Sequence, residues 1–440
     1  MGNIVEETDN MSRLEELEGY AESLNILNKV GQLYNQTEQY EEVFKITAKY
    51  TPTIIKTALR ASIVLVNEGG ETYSVFALEG NDAIPIGAKV PLENTGIEAC
   101  IQANELINES DARSKSYTDY QMLSSNGMCC IMNVPLVDGG KVLGTLNVAG
   151  KSKFNWRDEK LLTKIASLLA STLSSRLLFS KLQKALSQIQ KSINYAQRIQ
   201  TAVLPSDEEI KDILPKSFIF YEPRDVVSGD FYWYTKLDNK IFFAVGDCTG
   251  HGVPGCLMTM LGYNTLNQIV RELRFGDPSL ILCELDSRIR HILRQNDKDN
   301  RIHDGMDIIF CVIDTDTNKL TFAGAKRSLI MIRDGELHEF KGDKNPIGGG
   351  YYKSKNFTLQ TIDLREDDSF YLFTDGITDQ FGGDVHRKYT SRKLKGFIQS
   401  IQSRSMDTQG IYIENEFLKW KSSYPQTDDV LIVGFKPVFN

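Results

Sequence analysis

The chain has 440 residues, enough for two or three domains that each bury a hydrophobic core. Its 41% hydrophobic and 25% charged residues are typical of a globular protein, and a formal net charge of -8 argues against a nucleic-acid partner. No window has the length and apolar purity of a membrane span, and we expect no signal peptide in the acidic segment 1–10. The seven cysteines are scattered without metal-ligand spacing, which favours buried thiols in a reducing cytoplasm.

The first part of the chain alternates helical and strand patterns. Residues 1–19 are polar, and we expect a flexible segment there. Apolar residues then recur at helical spacing up to Leu59. Strands, a helix at Gly96–Ala103, a hairpin with the turn Asp138–Gly140 and a long helix follow. This order predicts a mixed α/β domain, of the size of a sensor domain, over residues 20–178.

Residues 20–178 resemble a GAF domain. The resemblance rests on the order of the elements and on the pattern formed by Asn147, Lys153-Phe154 and Asp158-Glu159. Because the region lacks a His/Cys cluster, we expect a small-molecule ligand or a partner rather than a metal, on an apolar, half-open face of the sheet. The alternative is that Asp158 and Glu159 only stabilise a helix N-terminus, where negative charge is favourable.

A heptad pattern of mostly apolar residues extends from Ile165 to Val203, and Pro205 ends it. The a positions are Ile165, Thr172, Phe179, Leu186, Ile193 and Gln200, and the d positions are Leu168, Ser175, Leu182, Ile189, Ala196 and Val203. The pattern predicts a coiled-coil linker over residues 179–205 and a parallel homodimer. The alternative is a helix that packs along its own domain. The polar Gln200 is expected to loosen the end of the coiled coil, so that two arrangements are close in energy.

After Pro205 the sequence becomes rich in strand patterns. Hairpins are predicted around the turns Asp238–Lys240, Asp314–Asn318 and Asp334-Gly335, with helical stretches between and after them. Antiparallel sheets with helices on the outside predict an α/β sandwich for residues 206–440. The fold class of the whole chain is therefore α/β (α+β).

Two sets of acids are predicted to meet at one end of this sandwich. Asp230 precedes the first strand of a hairpin and Asp247 follows the second, so antiparallel pairing brings them together. Asp375 follows a strand and Asp428-Asp429 precede another, so these acids also meet if their strands pair antiparallel. Clustered carboxylates repel one another unless cations neutralise them, and oxygen ligands without His or Cys favour Mg or Mn. Two such ions, about 3.5–4 Å apart, can activate water and hold a phosphoryl group.

Several phrases in this region resemble one family. They are RDVVSGDFYW, GDCTGHGVPG, GMDIIFCVID, FAGAKRSL, YLFTDGITDQFGG and QTDDVLIVGF. Over residues 206–440 they resemble, in order and spacing, the SpoIIE/RsbU branch of the PPM (protein phosphatase 2C-like) metal-dependent serine/threonine phosphatases. The resemblance implies two Mn or Mg ions whose ligands are Asp230, Asp247, the backbone carbonyl of Cys248, Asp375 and Asp428, with Asp429 as the alternative to Asp428.

The same resemblance implies a signalling enzyme. Water activated by the two ions would hydrolyse phosphoserine or phosphothreonine without a covalent phosphoenzyme. The expected substrate is a regulatory phosphoprotein such as a STAS-domain anti-anti-sigma factor, and the GAF-like domain would regulate the enzyme through the dimeric linker. Two alternatives stay open, namely a pseudophosphatase that binds partners without turnover and a dimeric ligand sensor whose output is protein association.

Four further residues near these acids are candidates for the site. His251 is expected either to protonate the leaving serine oxygen or to orient its loop. Asp307 either holds a third, weaker metal ion or caps a strand. Lys326 and Arg327 either contact the phosphate or the substrate protein, or form a solvated turn.

Overall fold

A computed structural model describes residues 21–37, 39–67, 69–297, 302–349, 355–384 and 386–439. The predicted flexible segment, residues 1–19, lies outside the described residues. The chain divides into two compact units, Met1–Ser187 and Gln188–Asn440, and the division falls within one long helix.

The first unit contains one six-stranded antiparallel sheet. Its helices are α1 (residues 21–36), α2 (Tyr40–Ile54), α3 (Gly96–Ala103), α4 (Thr118–Ser125) and the first part of α5 (Trp156–Val203). Its strands are β1 (Arg60–Val66), β2 (Thr72–Gly80), β3 (Lys89–Pro91), β4 (Ile107–Glu109), β5 (Cys130–Asp138) and β6 (Lys141–Gly150). The strand order is β3-β2-β1-β6-β5-β4, so the predicted mixed α/β domain is confirmed.

The long helix α5 has two halves with different surroundings. Leu162, Ile165 and Leu169 are buried in the core of the first unit, between α1, α2 and one face of the sheet. Of the predicted heptad positions, Ile165 is buried in this core and Leu168 packs against it, so the first heptad positions pack along their own domain, as in the alternative interpretation. Later heptad positions are solvent-exposed: Phe179, Leu182, Leu186 and Ile189 are between 53% and 60% exposed.

One helical stretch of the described residues, Trp156–Ile213, is long and apolar enough to cross a membrane by length and composition alone. No such stretch was expected from the sequence. The finding is weak evidence for a span because the core helix of a globular domain passes the same test. Leu162, Ile165 and Leu169 of this stretch belong to such a core.

The second unit begins in α5 and contains two large antiparallel sheets. The first sheet has the order β15-β11-β10-β9-β8, with β14 beside β10, and the second has the order β13-β12-β16-β19-β7. The strands are β7 (Ser217–Glu222), β8 (Asp230–Leu237), β9 (Lys240–Cys248), β10 (Gly305–Asp314), β11 (Lys319–Ala325), β12 (Leu329–Arg333), β13 (Glu336–Phe340), β14 (Ile347–Gly348), β15 (Gln360–Asp363), β16 (Ser369–Phe373), β17 (Phe381–Gly382), β18 (Arg387–Lys388) and β19 (Val430–Phe435). The helices are α6 (Asp207–Ile213), α7 (Gly252–Asn267), α8 (Pro278–Ile292), α9 (Gly376–Asp379), α10 (Ser391–Ile401) and α11 (Met406–Lys421).

The two sheets pack face to face through aromatic and aliphatic side chains. Phe435 on β19 is fully buried between Phe243 on β9 and Phe370 on β16, with ring centroids 4.7 Å and 5.2 Å away. Helices α7 and α8 cover the outer face of the first sheet, and α10 and α11 cover that of the second. The predicted α/β sandwich and its three hairpins are confirmed.

Candidate active site

Three aspartates form a row across neighbouring strands of the first sheet. Asp247 on β9 lies directly opposite Asp230 on β8 and directly opposite Asp307 on β10. Residues paired in this way point to the same face of a sheet, with Cβ atoms about 4.5–5.5 Å apart. The strand register therefore brings Asp230 and Asp247 together as predicted, and it adds Asp307 to them.

The second sheet brings further acids to the same site. Strands β16 and β19 pair antiparallel, so Asp375, after the first, and Asp428, before the second, share one end of the sheet. A cavity of about 420 Å³ opens there. Its lining includes Asp247, Cys248, His251, Asp307, Lys326, Arg327, Asp375 and Asp428.

Asp428 and Asp429 have different surroundings. Asp428 lines the cavity, whereas the Asp429 side chain is buried and accepts hydrogen bonds from the backbone N–H groups of Arg224 and Gly229, both at 2.7 Å. Asp429 thus holds the loop that leads into β8. Burial raises the pKa of the Asp428 carboxyl above its ordinary value.

Asp230 is not among the residues that line the cavity. It is 3% exposed, and the Thr374 hydroxyl donates a 2.6 Å hydrogen bond to its carboxylate. Burial, followed by the charge of Asp247, raises the pKa of Asp230 well above its ordinary value. The predicted set is therefore split, with one buried carboxylate supported by Thr374 and three that face the cavity.

Arg327 places a buried positive charge among these acids, in a position that the sequence pattern did not indicate. Its Nη2 donates to the carboxylates of Asp247 and Asp375, and the Asp375 contact measures 3.1 Å. The side chain is 12% exposed, so a solvated turn is wrong for Arg327. Lys326 is 46% exposed, and its Nζ lies 3.4 Å from Asp307.

The donors around the cavity fit a hard divalent cation by their chemistry. Carboxylates predominate among the oxygen-bearing side chains that line the cavity. Burial raises the pKa of the Cys248 thiol, so the group that this residue can offer to a hard cation is its backbone carbonyl. Among the described residues, however, no three His, Cys, Asp or Glu side chains converge into a ready ligand set. Burial raises the pKa of Asp247 to about 8, and the charge of Arg327 opposes this rise.

His251 is tied to the loop before β8. Its Nδ1 lies 2.7 Å from the Asp225 carboxylate, and both side chains are nearly half exposed. His251 lines the cavity, so this contact orients the ring at the cavity edge. Both interpretations made from the sequence, a proton donor and a loop-orienting residue, fit this position.

Gln200 has a role that the heptad pattern did not indicate. Its side chain is 4% exposed and makes two hydrogen bonds with the backbone of Ser228, to the C=O at 2.7 Å and from the N–H at 3.0 Å. The Ser228 hydroxyl in turn accepts from the backbone N–H of Asp230 at 3.0 Å. The end of α5 is thereby connected to the first acid of the site.

Comparisons with known proteins agree with this geometry. The family model described as Stage II sporulation protein E (SpoIIE) matches residues 238–437, and a GAF domain model matches residues 37–174. No curated protein matches the chain. Among solved structures, the SiaA-PP2C domain of Pseudomonas aeruginosa is 34% identical, with a TM-score of 0.53, over 58% of this chain and 99% of that chain.

Two other structures are similar to one part of the chain each. The PP2C phosphatase domain with a regulatory fragment of SpoIIE from Bacillus subtilis is 18% identical, over 51% of this chain and 62% of that chain, with a TM-score of 0.42. The GAF domain of an Acinetobacter phosphoenolpyruvate-protein phosphotransferase is 20% identical, over 34% of this chain and 92% of that chain, with a TM-score of 0.31.

The two-sheet sandwich with an acid-lined cavity is a PP2C-like phosphatase domain. The chain belongs to the SpoIIE family of these serine/threonine protein phosphatases, which depend on Mn or Mg, and its first unit is a GAF domain.

We expect Gln200→Leu to lower both stability and metal-dependent phosphatase activity. The change removes two hydrogen bonds and leaves the buried Ser228 backbone groups with poorer partners, at a cost of about 1–3 kcal/mol. Denaturant unfolding and manganese-dependent turnover measure the two effects. Gln188→Leu, at an exposed position of the same helix, is the control. A chain that starts at Ser206 should share the activity defect, and equal rates in all forms would show that α5 is only a tether.

Proposed function

We propose that this chain is a signalling phosphatase that hydrolyses phosphoserine or phosphothreonine on a regulatory protein. The observation that carries the proposal is the cavity that is lined by Asp247 from one sheet and by Asp375 and Asp428 from the other. Two Mn or Mg ions would be held by Asp230, Asp247, the backbone carbonyl of Cys248, Asp375 and Asp428. Asp428 is preferred to Asp429 because both Asp429 oxygens already accept backbone hydrogen bonds.

The side chains at the cavity support direct attack by water. Bound divalent ions would lower the pKa of a water molecule and offset negative charge on the phosphoryl group. The Cys248 thiol is 4% exposed and its pKa is raised by burial, so it is not a nucleophile at neutral pH. His251, oriented by Asp225, would donate a proton to the leaving serine oxygen. Lys326 would add positive charge where a phosphoryl dianion enters.

The substrate and the location of the proposed enzyme are supported by different observations. The substrate class, a STAS-domain anti-anti-sigma factor, rests on the family resemblance alone. A cytoplasmic location is supported by the cysteines, because all seven are free thiols. A pseudophosphatase is the alternative, and a turnover assay with a phosphoserine peptide decides between the two.

Turnover is expected to require Mn or Mg, and Asp247→Asn should lower it by orders of magnitude while the fold survives. The reason is that Asp247 lies at the centre of the acid row and faces the cavity. Release of phosphate from a phosphoserine peptide is the measurement, with circular dichroism to verify folding. Asp334→Asn, at an acid that is 80% exposed, is the matched control. Full activity in excess chelator would contradict the metal-dependent mechanism.

We also propose that the protein is a homodimer joined through the second half of α5. The apolar a and d residues from Phe179 to Ile189 are exposed in the single chain, and a parallel coiled coil would bury them. Signals from the GAF domain would then reach the phosphatase unit through the Gln200–Ser228 contact.

Leu186→Glu is expected to convert the dimer into a monomer, since it places a charge in the middle of the apolar stripe. Size-exclusion chromatography with light scattering gives the mass of each form. Gln188→Glu adds the same charge at a position outside the stripe and should stay dimeric. A monomeric wild-type protein would contradict the proposed dimer.

The GAF domain is proposed to bind a polar small molecule. Tyr73 Oη, Thr145 Oγ1 and Asn147 Oδ1 are buried and have no hydrogen-bond partner among the described residues. The register places all three on the sheet face opposite α1, α2 and α5. Buried polar groups without partners are costly, so a ligand that supplies donors and acceptors would stabilise this face.

A screen of the full chain with cyclic nucleotides and polar metabolites is expected to give a ligand that raises the melting temperature of the GAF domain. Differential scanning calorimetry measures the shift, and Asn147→Leu should reduce it because the amide is lost. Tyr50→Phe, which lies among the helices on the other side of the sheet, is the control. A uniformly negative screen would favour a GAF domain that only dimerises.

A further inference from the structure

The Arg327 side chain occupies a central position among the acids of the cavity. Its Nη2 donates to Asp247 Oδ2 and, at 3.1 Å, to Asp375 Oδ2, and it lies 3.9 Å from Asp307 Oδ2. One nitrogen thus contacts carboxylates from three separate segments of the second unit. Two of these, Asp247 and Asp375, belong to the proposed ligand set of the metal ions.

The backbone of Arg327 is held by a tight turn. Lys326 has a φ of 62°, and its N–H donates to the carbonyl of Asp343 at 2.6 Å. A Cβ at Gly324 or Gly342 would lie 2.3 Å or 2.4 Å from the Arg327 carbonyl oxygen, so only glycine permits this packing. The guanidinium is therefore directed into the acids by a packed backbone.

The charges explain why a guanidinium is stable there. Desolvated carboxylates close to one another need positive charge nearby, and an arginine stays protonated at all physiological pH values. One guanidinium supplies a single positive charge, whereas a divalent cation supplies two and can bind several carboxylates. Arg327 and a metal ion thus compete for the same oxygen atoms of Asp247 and Asp375.

We propose that Arg327 is a built-in competitor of the divalent cation, which must displace the guanidinium from Asp247 and Asp375 in order to bind. Arg327 thereby sets the metal affinity of the phosphatase. This inference rests on the proposed function in one respect, the assignment of Asp247 and Asp375 as metal ligands. The Arg327 Nε is buried and has no hydrogen-bond partner among the described residues. Because a buried donor without a partner is costly, this lowers the stability of the side chain among the acids and makes its displacement easier.

Manganese binding to the full chain, measured by isothermal titration calorimetry, tests this inference without reference to turnover. Arg327→Gln removes the competing charge and should bind manganese about tenfold more tightly or better, which corresponds to about 1.4 kcal/mol. Arg327→Lys keeps the charge and should stay within about threefold of the wild type. Lys326→Gln removes a neighbouring charge that pairs with Asp307, which is outside the proposed ligand set, and should also stay within about threefold.

The melting temperatures provide a second readout. Without added metal, Arg327→Gln should melt below the wild type because its acids have lost their counter-ion, and manganese should raise its melting temperature more than it raises that of the wild type. If Arg327→Gln does not fold, Arg327→Met makes the same comparison with the apolar stem retained.

The outcomes separate this inference from the proposed function. A folded Arg327→Gln protein that binds manganese as weakly as the wild type, or more weakly, overturns the competition. An equal gain in Lys326→Gln also overturns it, because the effect would then be a general one of surface charge. A wild type and variants that all fail to bind manganese would refute the metal site itself, and the inference would fall with it.

Discussion

Carboxylates that are forced together and removed from water repel one another, and the second unit is built around that constraint. Asp230, Asp247 and Asp307 are placed side by side by strand pairing alone. The negative charge of each of the first two is stabilised in a different way: Asp230 accepts a hydrogen bond from the Thr374 hydroxyl, and Asp247 is paired with the Arg327 guanidinium. The neighbouring Asp429 is stabilised in a third way, because backbone N–H groups donate to both of its oxygens. The loops around the cavity are arranged by these contacts.

Much of this architecture could be predicted from local patterns in the sequence. Turn residues identified the hairpins, and a hairpin fixes which residues share an end, so the turn alone was enough to pair Asp230 with Asp247. Arg327 could not be placed in the same way, because its partners lie 80 and 48 residues away, one on β9 and one in the segment that follows β16. The Lys326-Arg327 pair is also typical of a polar turn, and only tertiary packing separates a buried arginine from an exposed lysine.

The long helix shows a different limit of sequence patterns. A heptad pattern reports that one stripe of a helix is apolar, but not what covers the stripe. In α5 the covering surface changes along the helix, from the core of the GAF domain at Ile165 to solvent at Leu186. At Gln200 the partner is a loop of the phosphatase unit, and the amide is matched to backbone groups of Ser228. The polar residue that weakens the heptad pattern is thus the one with the most specific contact.

The row of acids also depends on the correct alignment of strands β8 and β9. Side chains alternate between the two faces of a strand, so a pairing slip of one residue between β8 and β9 would place Asp230 and Asp247 on opposite faces of the sheet. The same slip would bring the apolar residues of that strand to the wrong layer. A chain with incorrect strand alignment would therefore lose the row of acids and its core packing together. Phosphatase activity would therefore report whether strands β8 and β9 are correctly aligned.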